Sequence, residues 1–87
     1  MSLKVIKFSA VWCGPCKVLN PIWEELKATE VSAEFVSADI DVEVELLAEY
    51  KIKGVPTLLY LKDGLEVYRS VGLVTKDAIK AKLYELA

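Results

Sequence analysis

Trp12-Cys13-Gly14-Pro15-Cys16-Lys17 contains both cysteines of an 87-residue chain. The run before it, Leu3-Lys4-Val5-Ile6-Lys7-Phe8-Ser9-Ala10, is rich in β-branched and aromatic residues and predicts a strand over 3–10. Ile6 and Phe8 fall on one face of that strand, and Leu3, Val5, Lys7 and Ser9 on the other. The run after it predicts a helix over 14–30, with Val18, Leu19, Ile22, Trp23 and Leu26 at three- and four-residue spacing. Pro15 falls in the first turn, where a missing N–H does no harm, and Pro21 falls inside the helix, where a kink is expected. Two cysteines at a strand-to-helix junction can make and break a disulfide with little backbone movement.

Working outward, Ala33–Asp39 predicts a second strand. Asp41 is the expected N-cap of a short helix carrying Glu43 and Glu45 early and a stripe of Val44, Leu47 and Ala48. Thr57-Leu58-Leu59-Tyr60-Leu61 has the continuous apolar character of a buried strand. Asp63-Gly64 is a hairpin signal, and Glu66–Val71 is the partner strand. Thr75 is the expected cap of a last helix whose inward stripe is Ile79, Leu83 and Leu86. The order is β-α-β-α-β-β-α, an α/β pattern in which the first two strands run parallel through a right-handed crossover.

The length predicts one domain over residues 1–87. A 54% apolar and 28% charged composition is that of a globular chain rather than a disordered one. A net charge of −2 without a basic stripe argues against nucleic acid as a partner. The absence of a long apolar run and of a signal-like N-terminus argues against a membrane partner and predicts a cytoplasmic protein.

The attacking species in disulfide exchange is the thiolate. Cys13 stands at the mouth of the predicted helix, where free N–H groups and the helix dipole favour negative charge and lower its pKa. Cys16 lies one turn further in. Cys13 is therefore the expected nucleophile and Cys16 the resolving thiol. Other readings of the pair remain open at this point. A structural disulfide over so short a loop constrains the unfolded chain little. A zinc site needs four ligands, and the chain has two cysteines and no histidine, so no metal is expected. A bare Cys-X-X-Cys also arises by coincidence, although its place in a βαβ pattern strengthens the redox reading. The lack of histidine excludes Cys-His and Ser-His-Asp nucleophiles, and no phosphate-binding glycine loop is present.

The motif at 12–17, with Phe8 and Ala10 before it and Pro21 after it, resembles thioredoxin. Gly54-Val55-Pro56-Thr57 resembles that family's cis-proline loop, and Lys62-Asp63-Gly64 and Val71-Gly72 its hairpin turn and the glycine after the last strand. The resemblance runs over nearly the whole chain. It implies a thioredoxin fold, with a four-stranded mixed sheet in the order 2-1-3-4 and helices on both faces. It implies reduction of protein disulfides by a monomer that binds no cofactor beyond its own redox-active cysteine pair. A thioredoxin-reductase-like flavoprotein would recycle it. Pro56 would be cis, Val55 would offer backbone hydrogen bonds to a substrate peptide, and Trp12, Gly14, Pro15, Val55 and Gly72 would surround Cys13.

Three features depart from the family pattern. The chain lacks the strand and helix that usually precede residues 3–10, which makes the 33–39 strand an expected sheet edge. Lys7 stands where most members carry a buried aspartate, and Ser37 where they carry its lysine partner. Lys7 either is buried and tunes the thiols, with Asp39 as a candidate partner, or carries its head out to solvent and has no role. Two other functions compete with the leading one. One is a glutaredoxin-like reductase fed by glutathione, which the Trp-Cys-Gly-Pro-Cys motif does not suit. The other is a non-catalytic docking module that uses the patch around Cys13.

Overall fold

The computed structural model describes residues 2–87. Met1, the first residue of the expected domain, lies outside the described residues. The chain forms β1 (Leu3–Ser9), α1 (Gly14–Thr29), β2 (Glu34–Asp39), α2 (Val44–Glu49), β3 (Thr57–Lys62), β4 (Leu65–Val71) and α3 (Lys76–Leu86). The sheet order is β2-β1-β3-β4. β1 pairs parallel with β2 and antiparallel with β3, and β3 pairs antiparallel with β4. This is the expected mixed sheet, with β2 at one edge.

The alternation along β1 sorts the core into two layers. Leu3 and Val5 pack with Phe35, Leu58 and Tyr60 against Leu19, Trp23 and Leu26 of α1 and Ile79 and Leu83 of α3. Ile6 and Phe8 pack with Ala38, Leu59 and Leu61 on the opposite face, where Leu46 and Leu47 of α2 and the following Tyr50 approach. Helices therefore cover both faces. Trp23 and Phe35 meet edge to face with ring centres 5.0 Å apart. Each fully buried Leu or Trp here contributes about 1.5–3 kcal/mol of transfer free energy.

α1 buries Cys16, Leu19, Trp23 and Leu26 and continues through Pro21 without a break. Val18, placed by its spacing on the inner stripe, is 55% exposed, because the packed face centres on Leu19 and Trp23. α2 corrects two further expectations. Its N-cap is Glu43 rather than Asp41, and its inner side is Leu46 and Leu47 rather than Val44 and Ala48, which are exposed. Asp39 turns the chain first, its carboxylate accepting from the Asp41 N–H at 2.9 Å, and this delays the helix by two residues. The helix ends at Glu49 with Tyr50 as its C-cap, and the φ of 54° at Lys51 just beyond prevents continuation.

The β3–β4 turn places Asp63 and Gly64 at φ values of 52° and 85°, the two-residue geometry that suits the twist of a hairpin. Thr75 caps α3 by accepting from the Ala78 N–H. Both ends of the described chain are tied to this hairpin. The Ser2 N–H donates to Asp63 Oδ1, the Asp63 N–H donates to Ser2 O, and Lys62 Nζ donates to Leu86 O at 2.8 Å.

Candidate active site

β1 ends at Ser9, and the chain turns through residues 10–13 into α1, with the Cys13 N–H donating to Ala10 O at 3.2 Å. Cys13 is the N-cap of α1. An N-cap is usually an oxygen that accepts from the first helical turn; here Cys13 Sγ accepts from the Cys16 N–H at 3.2 Å. No acidic residue lies in the first turn to compete with a negative sulfur. Cys13 and Cys16 are joined in a disulfide, with Cα atoms 5.3 Å apart. Cys13 is 5% exposed and Cys16 1%, so the second sulfur is the more enclosed. Ala10, Ile40 and Val55 pack around the pair.

The loop before β3 reaches the same place. The Val55–Pro56 bond is cis, and Pro56 is fully buried. Thr57 Oγ1 donates to Gly54 O at 2.6 Å, which fixes the loop from below. The Gly72 N–H donates to Pro56 O at 2.8 Å, so the end of β4 is stapled to the proline. Gly72 has a φ of +98°, a region other residues adopt only under strain. Val71 and Leu73 flank it as exposed apolar side chains. Val55 thus packs on the cysteine pair, and Pro56 and Gly72 are bonded to each other beside it. Gly14 and Pro15 are exposed at the start of α1.

Trp12 is 64% exposed, yet its ring is held, because Nε1–H donates to Asp41 Oδ2 at 3.0 Å. Asp41 therefore locks the tryptophan instead of capping a helix. Between Trp12 and Val55 lies an open groove of about 400 Å³ floored by Ile40, Leu47 and Ile52, with Lys53 at its side. Ile40 was not among the residues picked from sequence, and Asp41 was read as a helix cap rather than as part of the site. The readable signal was their place directly after β2, on the same end of the sheet as the cysteines.

Lys7 is buried, 5% exposed, on the face under α1. Its Nζ donates to Asn20 Oδ1 and lies 5.5 Å from the centre of the Trp23 ring. Asp39 is not its partner; that carboxylate is used in the turn before α2. Ser37 accepts instead from Trp23 Nε1–H at 3.1 Å. Burial lowers the Lys7 pKa from its ordinary value, Glu24 opposes this and Lys27 adds to it. Among the described residues no group of three or more His, Cys, Asp or Glu side chains gathers as a metal site requires.

Comparison with known proteins gives a consistent result. The Thioredoxin family model matches residues 1–85. A thioredoxin of Mycoplasmoides gallisepticum is 38% identical over 79 residues, covering 91% of this chain and 79% of that protein. A thioredoxin of Chlamydia trachomatis is 44% identical over 77 residues, covering 88% and 76%. Among solved structures, a mutant thioredoxin from Halobacterium salinarum superposes with a TM-score of 0.90 at 37% identity, over 97% of this chain and 74% of that one.

Proposed function

The chain belongs to the thioredoxin family, and from that premise we propose that it reduces protein disulfides with Cys13 as attacking thiolate and Cys16 as resolving thiol. It is a thiol–disulfide oxidoreductase of thioredoxin type. The observation that carries the division of labour is the hydrogen bond from the Cys16 N–H to Cys13 Sγ. That bond and the α1 N-terminus both favour a negative Cys13 sulfur. Cys16 has no such help from the cap and is more enclosed.

In the reaction, the Cys13 thiolate attacks one sulfur of the substrate disulfide and expels the other as a thiolate, which takes up a proton from solvent. Cys16 then attacks Cys13 Sγ, the substrate sulfur leaves with the electron pair and a proton, and the Cys13–Cys16 disulfide remains. The groove beside Trp12 and Val55 gives an extended substrate peptide an apolar bed next to the reacting sulfur. Gly14, Pro15 and Gly72 complete that surface, with Val55 presenting its backbone and the buried Pro56 shaping the loop beneath it. The substrates are proteins carrying accessible disulfides, and a thioredoxin-reductase-like flavoprotein restores the dithiol. The protein works as a cytoplasmic, single-domain monomer. No described helix is long and apolar enough to cross a membrane.

Trapping is the direct test. Cys16→Ser should accumulate a mixed disulfide on Cys13, visible by mass spectrometry. Cys13→Ser should accumulate none and lose insulin reduction by about a thousandfold or more. The parent couple should lie nearer the reducing end of this fold, about −270 mV, than the oxidising end, about −120 mV. Turnover with NADPH and a flavoprotein reductase, but not with glutathione alone, is the expected coupling. An adduct on Cys16 in place of Cys13 would reverse the roles assigned here.

A further inference from the structure

Lys7 is the only charged side chain in the buried core of the described residues. An ammonium has three donors. Lys7 gives one to Asn20 Oδ1 at 2.5 Å and faces the Trp23 ring at 5.5 Å. Both partners are uncharged, and no ion pair of Lys7 with a carboxylate forms among the described residues. The positive charge is held in place but not cancelled.

Its position along α1 matters. Asn20 is four residues after Cys16 and Trp23 seven, so the three side chains share one face of the helix. Lys7 rises from β1 onto that face and meets it about one turn below Cys16. Cys16 is 1% exposed, and a thiol so enclosed resists losing its proton, because its anion is poorly solvated.

We propose that the Lys7 ammonium is a positioning charge for the resolving step, supporting the Cys16 thiolate from beneath α1. The inference rests on Cys16 being the resolving thiol. In that step Cys16 Sγ–H loses its proton to solvent, and its electron pair forms the Cys13–Cys16 bond. The bond between Cys13 and the substrate sulfur breaks, and that sulfur takes up the electron pair and a proton. Lys7 exchanges no proton in this sequence. It lowers the energy of the anion that must form. The charges facing it are Glu24 and Lys27 of α1, of opposite sign to each other. β2 and β3 place uncharged Ser37 and Leu58 opposite it in register.

The test uses reduced full-length protein, with thiolate formation followed by ultraviolet absorbance against pH and single-turnover reduction of a disulfide peptide. In Lys7→Met the Cys16 thiol should titrate at higher pH, and the mixed disulfide should resolve about fivefold more slowly at neutral pH. Formation of the mixed disulfide by Cys13 should change less. Lys7→Arg, which keeps the charge, should restore most of the resolving rate. Asn20→Asp, on an exposed position, should cancel the Lys7 charge and slow resolution in the same direction, which covers the case of Lys7→Met failing to fold. Unmoved titration with resolution within about twofold of the parent, in Lys7→Met or in Asn20→Asp, overturns the proposal. Trapping in the Cys16→Ser variant tests the role assignment separately, since the titration of Cys16 in Lys7→Met reads the Lys7 charge whichever cysteine attacks.

Discussion

A buried lysine carries a stability signature of its own, separable from its effect on the thiols. Burial holds the Lys7 pKa below 10.5 in the folded protein. Between that lowered value and 10.5 the unfolded chain binds more protons than the native one, so native stability rises with pH across the window. At neutral pH the lysine is on the costly side of it. Lys7→Met should therefore raise stability by about 1–2 kcal/mol at neutral pH, and the advantage should shrink as pH approaches about 10. Urea midpoints of both proteins at the two pH values measure this. A parent more stable than Lys7→Met at neutral pH would mean that Asn20 and Trp23 repay the burial in full. The cysteines were legible from spacing alone, and so was the choice of Cys13 as the sulfur at the helix mouth. Lys7 was legible only as an anomaly. Its partner, Asn20, is thirteen residues away on another element and has no charge to mark it as a partner.

At the scale of elements, β1, α1 and the β3–β4 hairpin were readable because each carries an unambiguous periodicity or turn. α2 was not. A six-residue helix offers fewer than two turns of pattern, and its start was obscured by the Asp39 carboxylate closing the turn before it. α1 shows the same limit more finely. Val18 and Leu26 both fit the helical stripe by spacing, but only Leu26 is enclosed. Leu26→Ala should cost about 2–5 kcal/mol. Val18→Ala should lie within about 0.5 kcal/mol of the parent, since it empties no cavity and improves helix propensity. Thermal or denaturant unfolding of the two variants settles which side chains the stripe contains. Equal losses would place Val18 in the core.

For the whole molecule, the sheet has a protected centre and two open sides. β1 and β3 have neighbours on both flanks, whereas β2 and β4 have one each. Half the backbone groups of an edge strand face away from the sheet and lack a ladder partner. Native-state hydrogen exchange should find the slowest amides in β1 and β3 and markedly faster exchange at the outward amides of β2. Uniform protection across β2 would show that something covers it in solution.

The anchoring of both chain ends at the β3–β4 hairpin has a practical consequence. β1 leaves Ser2 beside Asp63 and delivers Cys13 only after its full seven residues, a run of roughly 23 Å. Leu86 is held beside Lys62 at the same pole. A tether attached at Ser2 or Leu86, to a bead, an electrode or a fused carrier, therefore attaches at the pole remote from the dithiol. Immobilised at either residue, the protein would present its reactive sulfur outward to macromolecular substrates.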